Sequence, residues 1–425
     1  MPLAWEINHR NLLLDSHVDI PLDYATGRLD PGIRQERLQV DLAKMREGGL
    51  DCVFLVAYSR QGPLTTSGYR AARHQAGTRI EAVHRLCSRM HPGRIGLACS
   101  ADDVRRLADS GRLAAAIGLE NGYPIGTDLS RVRKYYDLGV RYITLCHNGH
   151  NQLCDSANPP ERLRPTEDEL DWEGLQLLAV LHLLENVLAA PPEQLHGGLS
   201  ELGRQVVAEM NRLGIMVDIS HLGPASLRDV LEVSEAPVIA SHSCCRALCD
   251  RARNLQDEQL AALGRKGACI QVTAVRGFLK LPPEQVLALD GLVRGLGAAG
   301  MASRDLLEVY DRDRPAYDAL IRGFRTGLKK INRRFPKPDV ADLADHIDHA
   351  VRLIGIEQVG IGSDFGGGGG VRGFDSAAEA ANVTAELLRR GYAEEDIARI
   401  WGGNLLRVWR EVELAAENLR TRRRT

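Results

Sequence analysis

Residues 12–20 read LLLDSHVDI. This apolar run closes on His17-Val18-Asp19. Side chains at i and i+2 of a strand point to the same side, so the imidazole of His17 and the carboxylate of Asp19 leave the strand together at its carboxyl end. A His and an Asp so placed can hold one metal ion. Taken alone, H-x-D is more often a surface pair or a strand-end turn. The weight comes from the rest of the chain, which repeats the design.

Seven further apolar, β-branched runs follow: LDCVFLVAY (50–58), LAAAIGLEN (113–121), VRYITLCHN (140–148), IMVDISH (215–221), PVIASHS (237–243), ACIQVTA (268–274) and VGIGSDFG (359–366). They are continuous rather than alternating, as strands buried on both faces are. Between them lie amphipathic helical patterns. Examples are LSELGRQVVAEMNRLG (199–214) and 339–354, where Val340, Leu343, Ile347, Val351 and Ile354 form one stripe. Strand and helix alternating eight times predict a (β/α)8 TIM barrel. A doubly wound open sheet is the alternative. Three connections are long, 59–95, 149–198 and 280–338, and are read as insertions after strands two, four and seven. The third is rich in Arg, Leu and Lys and predicts a helical insertion, a lid or an oligomer contact. No second core and no internal repeat is legible, so 1–425 reads as a single barrel domain. Residues 411–425 form the end of a C-terminal helix and a basic tail.

Composition narrows the function classes. The chain is 425 residues, 44% hydrophobic and 26% charged, which is ordinary globular composition with length for a large core. A net charge of −2 provides no global field for nucleic acid or a membrane surface. The tail Arg420-Thr421-Arg422-Arg423-Arg424 is read as a solvated end. Nine cysteines, scattered without paired C-x-x-C spacing, fit reduced thiols and a cytoplasmic location. The start, MPLAWEINHRN, carries no signal-peptide h-region, and no run reaches membrane-span length. Gly295–Gly300 spells G-x-G-x-x-G but follows a helical pattern, and Gly366–Gly370 opens no clear helix; neither meets the context of a dinucleotide fingerprint.

The polar residues at the ends of the runs form one set: His17 and Asp19, Glu120, His147, His221, His242 and Asp364. In a barrel these ends converge on one mouth. Buried together without compensation they would be costly. A divalent ion such as zinc offsets that cost and suits imidazole with carboxylate. Glu120, from the middle of the set, is the natural bridge between two ions about 3.5–4 Å apart. Each residue alone has an ordinary reading as a hydrogen-bonded core or turn residue; all of them at strand ends at once do not.

The ordered pieces His17-Val18-Asp19, Glu120, Asp218-Ile219-Ser220-His221, Ser241-His242-Ser243, Arg251-Ala252-Arg253-Asn254 and Gly362-Ser363-Asp364-Phe365 resemble the membrane (renal) dipeptidase family, peptidase M19, a metallopeptidase branch of the amidohydrolase superfamily. GLSELGRQVVAEMNRLGI (198–215) and GGNLLRVW (402–409) also look like family segments. The resemblance implies a bacterial-type member with two Zn2+ per chain. His17, Asp19 and Glu120 would hold one ion, and Glu120, His221 and His242 the other. A metal-bridging hydroxide would attack the carbonyl. Asp364 would move the proton, His147 would steady the oxyanion, and Arg253 would grip the C-terminal carboxylate of a free dipeptide. Family members tolerate a D-residue at that end, so L-Xaa-D-Xaa is included. A homodimer is allowed by the resemblance.

The chain departs from the family at three places. Asp364-Phe365-Gly366-Gly367 stands where D-F-D-G is common. The stretch VTAVRGF offers Val275, Arg276 and Phe278 where the mammalian type has a Tyr. HNGHNQLCDSAN (147–158) looks like bacterial members, and its His150 and Asp155 are candidates for substrate contact. His346 and His349 are read as structural. Two rival readings stand beside the dipeptidase: another binuclear amidohydrolase acting on an N-acyl amino acid or a lactam, and a non-catalytic barrel serving as a binding protein. A filled ligand set disfavours the latter. No Lys occupies the fourth run, where related hydrolases carry a carboxylated bridge.

Overall fold

The computed structural model describes residues 2–158, 172–188, 193–301 and 303–422. Nine strands form one parallel sheet: β1 (Leu14–Asp19), β2 (Cys52–Tyr58), β3 (Ile95–Leu97), β4 (Leu113–Glu120), β5 (Val140–Thr144), β6 (Met216–Asp218), β7 (Ile239–Ser243), β8 (Cys269–Val272) and β9 (Val359–Ile361). Eight of them run in the order β1-β2-β4-β5-β6-β7-β8-β9. Beyond β9 the chain returns to β1: Asp364 N donates to His17 O (3.0 Å) and Asp19 N to Phe365 O (2.7 Å). The result is a nearly closed barrel of eight parallel strands with helices outside. The eight apolar runs correspond to these eight strands. β3 was not legible in the sequence. It is three residues long, pairs with Leu113–Ala115 outside the ring, and is too short to show a period.

β4 is buried at every position, as a strand covered on both faces must be. Inside the ring one apolar cluster joins Leu14, Phe54, Ala116, Met216 and Ile239 to Leu405 and Trp409 of the C-terminal helix Asn404–Arg422. The Phe54 ring lies 5.2 Å from Trp409 and 5.1 Å from Tyr142, so aromatic packing closes the lumen below the mouth. The last residues of the basic tail, 423–425, lie outside the described residues.

The predicted helices form with recognisable ends. Ser200 caps Glu201–Leu213, and a left-handed Gly214 (φ 88°) stops it. Asp339 makes a capping box on Val340–Ile354, whose Leu343 and Ile347 are buried. The connection 59–95 is mostly one helix, Thr66–Arg85, packed beside β2.

The other two long connections meet each other. Helix Trp172–Leu188 packs on Pro283–Gly295 and Arg314–Arg334, and Ser303–Arg312 packs on Arg314–Arg334. Leu177, Leu178, Leu184, Leu289, Tyr317 and Phe324 make an apolar cluster separate from those of the barrel. The sequence shows no second core because each insertion contributes only part of it, and they are roughly a hundred residues apart. Part of the connection 149–198 lies outside the described residues.

Candidate metal centre

The ligand candidates converge at the mouth, but they leave it by two routes. His17, Asp19, Glu120 and His242 lie within strands. His147, His221 and Asp364 do not: β5 ends at Thr144, β6 at Asp218 and β9 at Ile361, so these three project from the turns just beyond. His221 (φ 70°) and Asp364 (φ 60°) sit in the left-handed region, which L-residues adopt at a cost. Surrounding bonds hold them there. Three successive amides, Gly367 N, Gly368 N and Gly369 N, donate to Asp364 O, and His221 O accepts from Ala157 N.

The reactive atoms are close. Glu120 Oε1 lies 3.2 Å from His221 Nε2, 3.4 Å from His242 Nε2 and 3.8 Å from His147 Nε2. Its other oxygen, Oε2, faces His17 Nε2 at 3.7 Å. His17 Nε2 is also 3.5 Å from Asp19 Oδ2 and 3.8 Å from Asp364 Oδ1. The two oxygens of one carboxylate therefore face different donor sets. Ligand atoms within 4.8 Å of one another group as His17, Glu120 and His242; as Glu120, His147 and His221; and as His17, Asp19 and Asp364.

The electrostatics fit a cation. Burial pulls the His17 imidazole down, yet Glu120 and Asp19 override it and hold it well above its ordinary value. Burial, with Arg253 and the neighbouring imidazoles adding to it, holds His221 and His242 well below theirs, so both are neutral donors. Burial pushes Asp364 well up; Asp19 and Glu120 reinforce this against His17. His17 Nε2 is buried with no hydrogen-bond partner. Acceptor-only carboxylates, neutral imidazoles and an orphaned ring nitrogen are the donor set of a zinc-type divalent ion.

Arg253 is buried, 4% exposed, rather than on a helix surface. Nη2 donates to His242 O (3.4 Å), the guanidinium lies 5.3 Å over the Phe278 ring, and Nε has no partner. Asn254 Nδ2 fixes this turn by donating to Cys249 O and Phe278 O, each at 2.8 Å. His147 stands with its ring 4.9 Å edge-on from Tyr58, and its Nδ1 is unpaired.

The other candidates have local partners. Asp155 is an organiser of the loop: its carboxylate accepts from Leu195 N, His196 N and Gly198 N. His150 Nδ1 accepts from Ser156 N. His346 is structural, bonded to Cys245 N and Leu279 O, and His349 pairs with Asp257. Arg276 is turned away to Gly370 O and Asp375.

The glycine run has a local reason. A Cβ on Gly366 would lie 2.4 Å from Asp19 O. On Gly367 it would lie 2.3 Å from both Asp19 Oδ2 and Asp364 Oδ1. The missing second acid of D-F-D-G thus coincides with close approach of β1. Gly367→Ala is expected to push the two carboxylates apart. It should lower kcat/KM by at least about tenfold, an effect of small displacement at a reacting centre, while the melting temperature stays near that of the wild type. Unchanged kinetics would show that the close approach has no functional part.

A polar layer beneath the ligands escaped the sequence reading. Asp218, fully buried, accepts four hydrogen bonds: from Ser220 N (3.1 Å) and Ser241 N (2.8 Å) on Oδ1, and from Thr144 Oγ1 (2.5 Å) and Ser241 Oγ (2.6 Å) on Oδ2. Tyr142 Oη meets His17 Nδ1 at 2.9 Å. Its ring fits only because residue 118 is Gly: a Cβ there would be 2.1 Å from Tyr142 Cζ. Asp15 Oδ1 accepts from His17 N and Ser363 N and ties β1 to the turn after β9; burial raises its carboxyl to about 6 against those bonds. The signal available was the motifs themselves, D-x-S-H and S-H-S, whose first residues carry this layer.

Known proteins match this chain along nearly its whole length. The model of "Membrane dipeptidase (Peptidase family M19)" covers residues 3–181 and 173–423. Dipeptidase ataJ of Aspergillus terreus is 31% identical over 412 residues, 94% of this chain and 84% of that protein. Dipeptidase 3 of Rattus norvegicus is 30% identical over 411 residues, 95% of this chain and 66% of that longer protein. Among solved structures, the probable dipeptidase PvdM from Pseudomonas aeruginosa superposes with a TM-score of 0.79 at 32% identity, covering 97% of this chain and 98% of that one. A metallo peptidase from Rhodobacter sphaeroides, liganded with a phosphinate mimic of L-Ala-D-Ala, shares the fold with a TM-score of 0.68 at 21% identity, covering 95% and 99%.

Proposed function

The chain belongs to the membrane dipeptidase family, peptidase family M19, and from that premise we propose that it is a zinc-dependent dipeptidase that hydrolyses free dipeptides, L-Xaa-D-Xaa among them. The observation that carries the reading is the Glu120 carboxylate, with one oxygen toward His221 and His242 and the other toward His17. His17, Asp19 and Glu120 would hold one zinc ion, and Glu120, His221 and His242 a second. When bound, the metal supplies a Lewis acid and lowers the pKa of water.

The chain's own residues do the rest. The carboxyl of Asp364, pushed well above its ordinary value by burial and by Asp19, is suited to take up a proton and pass it to the leaving amine. His147 Nε2 steadies the charge that develops on the carbonyl oxygen. Arg253, desolvated and with Nε free to donate, grips the substrate's C-terminal carboxylate with paired bonds. A cytoplasmic location is supported by nine cysteines, all unpaired, eight of them buried. Among the described residues no helix is long and apolar enough to cross a membrane.

The test is a panel of L-Xaa-L-Xaa and L-Xaa-D-Xaa dipeptides, their C-terminal amides, and N-acyl amino acids, offered to zinc-loaded enzyme. Free dipeptides are expected to be cleaved rapidly and the amides only slowly. Cleavage confined to N-acyl amino acids would leave a binuclear amidohydrolase of another substrate class. Arg253→Met should raise KM for a free dipeptide by about 10²-fold, the worth of a buried charge-assisted pair. It should leave the slow turnover of the amide unchanged. An equal loss on both substrates would remove Arg253 from carboxylate binding.

A further inference from the structure

The structure assigns to Asp218, acting through Ser241, the task of fixing which ring nitrogen of His17 and His242 is left free to bind a metal. The inference rests on the metal reading of the site and goes beyond it to residues that touch no ligand. Asp218 Oδ2 accepts from the Ser241 hydroxyl at 2.6 Å. A serine hydroxyl has one proton to give, and here it is given to Asp218. Towards every other neighbour Ser241 Oγ can only accept. Two ring nitrogens lie within its reach: His242 Nδ1 at 2.8 Å and His17 Nδ1 at 3.3 Å. Both must therefore carry the hydrogen. His17 Nδ1, once it carries that hydrogen, faces a second acceptor in the Tyr142 hydroxyl oxygen at 2.9 Å.

With the proton on Nδ1, each ring turns the lone pair of Nε2 toward Glu120. One buried carboxylate thus orients two imidazoles at once, through a single hydroxyl. The arrangement is a serine-relayed form of the carboxylate–histidine pair that commonly supports metal ligands. Thr144 Oγ1, donating to the same Oδ2 at 2.5 Å, together with the amides of Ser220 and Ser241 on Oδ1, completes the shell of Asp218 and leaves Ser241 no alternative acceptor role there. Asp218 and Ser241 are positioning residues.

The test is zinc affinity measured by chelator competition, with thermal melting in parallel. Ser241→Ala should bind zinc about 10–100-fold more weakly, as other losses of outer hydrogen bonds do. Asp218→Asn should lose more. An Asn amide donates to Ser241 Oγ, turns its hydroxyl onto His242 Nδ1, and drives the ring proton to Nε2. Ser226→Ala is the comparison for a merely structural serine. Ser226 is buried and bonds only Asp155 O and N, so its loss should lower the melting temperature and leave zinc affinity at the wild-type value.

Zinc affinity of Ser241→Ala within about threefold of wild type overturns the inference. If either variant fails to fold, 15N-histidine NMR of the zinc-loaded wild type decides: protons on Nδ1 of His17 and His242 support it, and a proton on Nε2 of either overturns it. A wild type that takes up no zinc overturns the metal reading and this inference together. Zinc uptake unchanged in Ser241→Ala removes this inference alone.

Discussion

Glu120→Ala is expected to lose on the order of 10⁴-fold or more in kcat on a free dipeptide, since the reaction then forgoes the chemistry a metal supplies. The loss should come with a fall in zinc content from two ions per chain to one or none. The reason is geometric. Oε1 sits 3.2 and 3.4 Å from His221 and His242, and Oε2 sits 3.7 Å from His17, so the two oxygens of this carboxylate face the two donor sets. Melting supplies a separate readout. A ligand that binds only the folded state raises its stability, so zinc should raise the melting temperature of the wild type by more than that of the variant. Retention of both ions in the variant would mean that Glu120 is not the bridge.

Asp364→Asn should behave differently. It removes the group that moves the proton but leaves His17, Asp19, Glu120, His221 and His242 in place. The expected loss is about 10²–10⁴-fold in kcat, the range of general acid–base catalysis, with KM changed little. Zinc content should stay at the wild-type value, because Asp364 is not among the proposed ligands. A fall in zinc content matching the fall in kcat would make Asp364 a ligand rather than a proton carrier. The grouping of His17, Asp19 and Asp364 within 4.8 Å makes this a real contest. Read together, the two variants separate holding the metal from moving the proton.

Much of this was legible in the sequence, for identifiable reasons. A strand buried on both faces reads as a continuous apolar run, so LLLDSHVDI and LAAAIGLEN announce β1 and β4 and place His17, Asp19 and Glu120 without further help. His147, His221 and Asp364 were legible as residues but not as geometry. The runs continue past the strands, and the left-handed turns that aim His221 and Asp364 leave no local signature in a non-glycine residue. β3 is too short for periodicity to register. The apolar cluster shared by the two insertions could not be seen either. Leu177 and Leu184 find their partners, Leu289 and Phe324, only across sequence distances that no window spans. The layer beneath the ligands was hidden for another reason. Tyr142, Thr144, Asp218 and Ser241 are ordinary strand residues individually. Their meaning arises only when β5, β6 and β7 are laid side by side, with Thr144 in register with Asp218. Gly118 gives the clearest case: as a sequence feature it is a glycine in a strand, and in the barrel it is the space that lets Tyr142 reach His17.

If the Glu120 carboxylate joins two metal ions in a working dipeptidase, a zinc titration reveals it. Metal-free enzyme is titrated with zinc while hydrolysis of a free dipeptide is followed. Activity is expected to rise to its plateau at two equivalents per chain, with less than full activity at one. Full activity at one equivalent, or hydrolysis that needs no metal, would contradict it.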